Sequence, residues 1–277
     1  MSSQQLKDKI RNISKEKNTD FNTLLRLYMY DRFLERLSIS KYKDNFILKG
    51  GFYLSTLFGV ESRNTMDIDI AFRNANFNEK TIINMIKEII SIETGDNAKI
   101  EFLGISHIRD EDEYGGFRIE LLTRIDNIKE KFHIDVASGD PITPKEISYK
   151  YKPILKDGYI NLWAYNIETV LAEKLETILS RAEINGRMRD FYDIYLIYTK
   201  DWNKININHL KQAINVTFKK REYTGNVSQT LELIMNSSVL KERWKSYQRK
   251  YDYANNINFD DILICLEEII SKLYSLS

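Results

Sequence analysis

All three prolines of the chain, Pro141, Pro144 and Pro153, fall within residues 139–158, a stretch that also holds Gly139 and Gly158. Proline fixes φ and removes a backbone donor, so such a cluster cannot continue a helix or a central strand and marks a seam. The pattern changes across it. Before the seam, apolar spacing predicts helices over 3–17 and 21–38, the second on Phe21, Leu24, Leu25, Tyr28, Met29, Phe33, Leu34 and Leu37. A short strand over 46–49 and a short helix over 51–58, opening at Gly50-Gly51, come next. A strand over 66–72, a helix over 78–92 and strands over 98–107, 116–125 and 130–137 follow, the last two joined by a turn at Asp126-Asn127. After the seam, helices are predicted over 167–183, 189–199, 206–219, 227–236, 239–249 and 258–274. The expected fold class is α+β: a mixed-sheet lobe with flanking helices over 1–150 and an all-helical lobe over 151–277.

Two function classes drop out on composition. The one cysteine, Cys265, sits in an apolar run and reads as a buried thiol, so an internal disulfide framework is excluded. With only His107, His133 and His209 beside it, a Cys/His zinc site is not expected either. The N-terminus has no apolar signal core, and no apolar run approaches the about 20 residues needed to span a bilayer. The expectation is a cytoplasmic protein with no membrane partner. A net charge of +1 means that any nucleic-acid surface must come from local clustering.

The segment FILKGGFYLSTLFGVESRNTMDIDIAF, residues 46–72, places Asp67 and Asp69 in an apolar strand pattern. Residues i and i+2 of a strand share a face about 7 Å apart. The two acids therefore project together, and Met66, Ile68 and Ile70 project into a core. Paired carboxylates that lose hydration repel each other, and magnesium, a hard cation that takes carboxylate and phosphate oxygens, offsets this well. Asp135 has the same signature: Phe132, Ile134 and Val136 form one face of its strand, His133 and Asp135 the other. Three carboxylates around magnesium or manganese suit in-line phosphoryl or nucleotidyl transfer. The bland alternative is a pair of solvated acids on an exposed face.

Nearby residues weigh against that alternative. Backbone N–H groups at Gly50-Gly51, where a helix starts, can hold triphosphate oxygens, with Lys49 adjacent. Arg63 and Thr65 fall in phase with the acids if the strand begins early. An EF-hand loop, a Walker A loop and G-x-G-x-x-G are absent.

On the helix predicted over 167–183, Ile167, Val170, Leu171, Leu175, Ile178 and Ala182 share a face. Glu173, Glu176 and Thr177 lie opposite and are expected to face water. Lys174 falls inside the apolar face, with Arg181 on the same flank. Its stem either packs while the ammonium snorkels to water, or its charge meets a partner. Over 189–199, Asp190 and Asp193 share one flank of a largely apolar helix, and Lys174, Arg181, Arg187 and Arg189 are candidate partners in an ion-pair network.

LKGGFYLSTLFGVESRNTMDID resembles the opening motif of the AbiEii/AbiGii-type nucleotidyltransferase toxins of abortive infection, within the DNA polymerase-β-like nucleotidyltransferase superfamily. LAEKLETILSRAEINGRMRDFYDIYLI resembles the later part of the same pattern, and the resemblance covers roughly residues 45–200. It implies a nucleotidyltransferase-like sheet lobe in a toxin of a type IV toxin–antitoxin system, acting in antiviral defence beside a separately encoded antitoxin without stable direct contact. It implies NTP binding with magnesium and an RNA acceptor, the tRNA 3′ end. Carried onto this chain, it gives Asp67, Asp69 and Asp135 as metal ligands and catalytic acids. Lys49, Gly50, Gly51, Arg63, Thr65, Lys174 and Arg181 become the nucleotide site, with Lys174 reaching the triphosphate. Asp190 and Asp193 become candidate acids of the helical lobe, either of which can orient the lysine or act as base. Where the superfamily often has Gly-Ser this chain has Gly50-Gly51, so phosphate holding rests on backbone N–H groups and the nucleotide stays open, GTP among the candidates. Two rivals share the motifs: a kinase-like phosphotransferase and a non-catalytic NTP-binding regulatory module.

Late in the chain, Lys219, Lys220, Arg221, Lys241, Arg243, Lys245, Arg249 and Lys250 accompany Trp244 and Tyr247. Cations for phosphates beside aromatics for unpaired bases fit an RNA surface, against the plainer reading of a solvated helix face.

Overall fold

The computed structural model describes residues 1–65, 67–108 and 115–274. The elements run α1 (Ser3–Lys17), α2 (Phe21–Ile39), β1 (Phe46–Lys49), α3 (Gly50–Phe58), β2 (Asp67–Phe72), α4 (Glu79–Ile90), β3 (Lys99–Ile108), β4 (Gly116–Ile125), β5 (Ile128–Ala137), β6 (Ile147–Tyr151) and β7 (Ile160–Ala164). Then come α5 (Ile167–Arg181), α6 (Met188–Asp201), α7 (Ile207–Lys220), α8 (Val227–Asn236), α9 (Ser238–Lys250) and α10 (Phe259–Tyr274). The class is α+β, as the alternation of patterns implies. Among the described residues no helix is long and apolar enough to cross a membrane.

The strands form one seven-stranded sheet in the order β3-β4-β5-β2-β1-β7-β6. The pairs β2–β5 and β1–β7 are parallel and the others antiparallel. Strands β6 and β7 have no counterpart in the sequence reading, which placed residues 147–151 inside the seam and left 160–164 unassigned. Each is only five residues long. Between them Pro153 and Gly158 punctuate the chain, and the alternation in ISYKY is too short to stand out. Both strands extend the sheet beyond β1, where Tyr165 N–H donates to Leu48 O at 2.9 Å.

Two units follow from the contacts: Met1–Asp140 with Glu146–Tyr165, and Pro141–Lys145 with the chain from Asn166 onward. The division read from the sequence at residue 150 falls inside β6; the sheet continues through β7 to Ala164. Residues 141–145 group with the helical unit because they are stitched to the start of α5. Asn166 Nδ2 donates to Thr143 O at 3.0 Å and to Lys145 O at 2.8 Å, while its Oδ1 caps α5 by accepting from Thr169 N–H at 2.7 Å.

In the sheet unit, Leu48, Ile68, Ile70, Ile134 and Val136 fill the core side of the central strands. Met66, assigned to that face from the sequence, lies outside the described residues. Helix α2 carries the charged residues Asp31, Arg32, Glu35 and Arg36 buried within it. Asp31 accepts a short hydrogen bond from the Tyr151 hydroxyl and another from Ile154 N–H at 2.8 Å, tying α2 to β6 and the turn after it. Burial pushes its carboxyl up to about 7.

Candidate active site

The site in the sheet unit starts from the β1–α3 turn. Gly50 has φ +61°, in the left-handed region, and a Cβ there would stand 2.4 Å from Asp69 Oδ2. Only glycine meets both conditions. A Cβ at Gly51 would stand 2.6 Å from Nη2 of Arg63, a buried guanidinium that also donates to Asn64 O at 2.5 Å. The glycines thus let Asp69 and Arg63 close onto the first turn of α3. Gly51 N–H donates to Asp69 Oδ2 at 3.0 Å, so one of the amides expected to face phosphate is already held by a carboxylate.

Register brings the acids together. Asp69 lies opposite Lys49 on one neighbour and level with Asp135 on the other, and Asp67 is level with His133. Asp67 and Asp69 are both partly exposed while Ile68 and Ile70 are buried, as period-2 alternation requires. Burial raises the Asp69 carboxyl, and the negative charges of Asp135 and Asp67 add to this against the Lys49 charge and the Gly51 N–H. His133 Nδ1 is 3.7 Å from Asp67 Oδ1 and its Nε2 is 3.7 Å from Glu120 Oε1.

Two details differ from the sequence picture. Strand β2 begins at Asp67, so Arg63 and Thr65 precede it and do not share its alternation. Thr65 Oγ1 instead donates to Asp67 O at 3.3 Å. Lys49 Nζ turns to Asp140 Oδ2 at 3.2 Å and over the Tyr165 ring at 5.5 Å.

Arg118 is the residue that sequence reasoning missed. Its Nε donates to Asp135 Oδ1 at 2.8 Å and its Nη2 to Oδ2 at 2.6 Å, a bidentate pair. The hydrogen bond to Asp135 and the acidic charges around it raise the Arg118 pKa further. The signal was there to count. A two-residue turn at Asp126-Asn127 pairs the residue eight before Asp126 with the residue eight after Asn127, which are Arg118 and Asp135.

The donors are of the type that a divalent cation takes, hard carboxylate oxygens on adjacent strands, and Asp69 stands under like-charge pressure. As arranged here, Asp69 leans on Gly51 and Asp135 on Arg118. Among the described residues no group of three or more His, Cys, Asp or Glu is drawn close enough to hold a metal.

In the helical unit, Lys174 Nζ is 2.8 Å from Asp190 Oδ1 and 2.6 Å from Asp193 Oδ2, all three residues being buried. The lysine does not snorkel; it bridges the two acids that its neighbouring helix presents at i and i+3. Arg187 Nε lies 3.2 Å from Asp190 Oδ2, an ion pair without hydrogen-bond alignment that leaves this buried oxygen without a hydrogen bond. Arg189 turns to the Tyr251 hydroxyl at 3.2 Å, and Arg181 closes the last turn of α5.

The face of α5 expected to meet water is covered. Glu176 and Thr177 are buried, and Arg221 from the end of α7 reaches Glu176 Oε2 at 2.9 Å, Thr177 Oγ1 at 3.3 Å and Glu173 Oε1 at 3.7 Å. The basic surface read from the sequence is also smaller than it looked. Arg221 is spent on α5, Lys241 pairs with Asp260 at 2.9 Å and Lys245 with Glu242 at 2.7 Å. Trp244 is buried, its indole N–H donating to Ile257 O at 2.9 Å, so its face is closed to a base. Cys265 is buried as expected, and burial raises its thiol to about 11.

Among solved structures, two Helicobacter pylori proteins are similar: a candidate nucleotidyltransferase and JHP933, each 16% identical with a TM-score of 0.50. The similarity covers 92% of this chain in both cases, and 98% and 94% of theirs, at a level that speaks for the fold alone. No curated protein matches. The family described as nucleotidyl transferase AbiEii toxin, type IV TA system, matches residues 32–264. With most of its length matched, both glycine and acid motifs inside the match and a sheet that carries them in register, the chain belongs to the AbiEii nucleotidyltransferase toxin family.

Proposed function

We propose that the protein transfers a nucleotidyl group from an NTP to an RNA acceptor, the tRNA 3′ end, using magnesium or manganese. The observation that carries this reading is the convergence of Asp67, Asp69 and Asp135 on one side of adjacent strands, next to the glycine-started helix α3. Asp67 and Asp69 would hold the metal, and Asp135 would join them by exchanging its Arg118 partner. Bound there, the metal neutralises charge on the transferring phosphate and on the leaving pyrophosphate.

The protein's own groups do the rest. The N–H groups of α3, with Lys49 and Arg63 beside them, bind triphosphate oxygens. The acceptor hydroxyl forms a bond to the α-phosphorus, the bond to the bridging oxygen breaks, and pyrophosphate leaves. The hydroxyl proton passes to a carboxylate base, for which Asp190 and Asp193 are the candidate acids of the helical unit. Lys174, already shared between those acids, fixes their positions. Catalysis in this scheme is positioning and charge neutralisation.

The type IV family implies an antitoxin encoded alongside, acting without a stable complex. The test incubates purified protein with total RNA, magnesium and each labelled NTP in turn, and reads the mass of the product. A nucleotide added at a 3′ end is expected. A mass gain of one phosphate would replace this reading with a kinase, and no modified acceptor with any of the four NTPs would leave a nucleotide-binding module.

A further inference from the structure

A cleft of about 910 Å³ opens within the helical unit, between the start of α6 and the exposed side of α9. Its walls carry Arg187, Arg189, Arg243 and Lys250, against the acids Asp190 and Glu242. The acids do not cancel the cations. Asp190 is shared by Lys174 and Arg187, and Glu242 has Lys245. Arg243 is used structurally, donating to Glu183 O and Asn185 O at 2.9 Å each. Lys250 makes no ion pair among the described residues and lies 5.4 Å over the Tyr251 ring. Arg187 is exposed, with a side-chain exposure of 55%.

The floor is aromatic. Tyr247 and Tyr251 lie with ring centroids 4.6 Å apart, and the row continues to Trp244 on one side and Tyr253 on the other. Tyr247 and Tyr251 are the half-buried members that line the cleft. Burial alone would push the Tyr251 phenol up, but the Arg189 hydrogen bond and the Lys250 charge outweigh it and bring it down. A phenol under such positive influence reports a local field that favours anions.

Stacking faces beside cations are what an unpaired nucleotide needs from a protein. We propose that this cleft seats the unpaired 3′-terminal nucleotide of a single-stranded RNA. Its base lies on the Tyr247–Tyr251 ledge and its phosphates lie on Arg187, Arg189 and Lys250. The inference rests on the nucleotidyltransfer reading for the identity of this RNA as the acceptor, and it names where its 3′ end is held.

The test measures binding of full-length protein to three fluorescent probes: a single-stranded RNA octamer, the same octamer in a blunt duplex, and a labelled NTP. Two variants are compared with wild type, Arg187→Gln/Lys250→Gln and Tyr251→Leu. The first changes two exposed side chains, giving up the Arg187–Asp190 pair, and keeps the test alive if the second fails to fold. Wild type should prefer the single strand to the duplex by at least ten-fold. The double variant should lose at least ten-fold in single-strand affinity and flatten the salt slope by about 1.4, two phosphate contacts at about 0.7 each. Tyr251→Leu should lose roughly five- to hundred-fold, the range expected for one stacked base. NTP affinity should hold in both. If wild type binds RNA and neither variant weakens it, the cleft is not the seat, while the acceptor reading stands. Wild type that binds and modifies no RNA overturns both. Equal binding of duplex, equal competition by an acidic peptide, or a loss confined to the NTP probe would each overturn the assignment.

Discussion

Replacing Lys174 with methionine keeps the stem volume and removes one buried charge. In the folded protein that charge lies 2.8 Å from Asp190 and 2.6 Å from Asp193, and Asp193 has no exposed surface. Breaking a buried pair by deleting one partner costs about 3–5 kcal/mol, because the remaining charge stays desolvated. Arg187, at 3.2 Å, still attends Asp190, so the loss falls mainly on the contact with Asp193. With a urea m-value of about 2 kcal/mol/M, the unfolding midpoint should drop by roughly 1.5–2.5 M. The sign of the pH dependence follows. A stranded carboxylate is pushed above its unfolded pKa, so the deficit of Lys174→Met should shrink as pH falls through the carboxylate range. Adding Asp193→Asn should restore at least half of the lost stability. The assay is urea unfolding of wild type, Lys174→Met and the double variant, followed by fluorescence. A Lys174→Met midpoint within about 0.3 M of wild type would refute the claim that this ammonium offsets the acids. If that stable protein had also lost NTP affinity by ten- to hundred-fold, the lysine would belong to the triphosphate instead.

Three further outcomes are expected. Magnesium or manganese should raise the melting temperature of wild type, more so with NTP, and Asp67→Asn/Asp69→Asn should abolish that shift; an unchanged shift would take the acids out of the site. Gly50→Ala should weaken metal-linked stabilisation and cost at least about 1 kcal/mol, since a Cβ at φ +61° also meets Asp69 Oδ2 at 2.4 Å; a neutral substitution in both assays would contradict the tight turn. Asp31, raised to about 7, binds its proton more tightly folded than unfolded, so it should make stability fall as pH rises from about 4 to about 7. Asp31→Asn should flatten that part of a pH series of urea unfolding, and an unaltered profile would count against the buried carboxylate.

Strict periodicity made much of this protein readable. Asp67, Asp69 and Asp135 stand on the polar side of their strands because alternation leaves no other place for them, and their parallel register was a short step away. What the sequence hid was partnership across space. Lys174 and Asp193 were each visible as charges on apolar faces, but only the packing of α5 beside α6 decides that they meet. Glu176 and Thr177 looked solvated because the helical wheel of α5 has a polar side; Arg221 arrives from another helix and closes it. Strands β6 and β7 were lost for a local reason, five residues each amid prolines and glycines. Arg118 alone was countable and uncounted.

The Arg118–Asp135 pair depends on the parity of the β4–β5 hairpin. The two residues meet because equal stretches lead from the Asp126-Asn127 turn to each of them, without a bulge between. One residue gained or lost in either arm would move its partner to the opposite face of the sheet, into the layer of Ile134 and Val136. Over the history of such a chain, this hairpin can therefore change length only by matched steps in both arms or beyond the turn. The loop itself is free to grow, but the distance from turn to site is inherited whole.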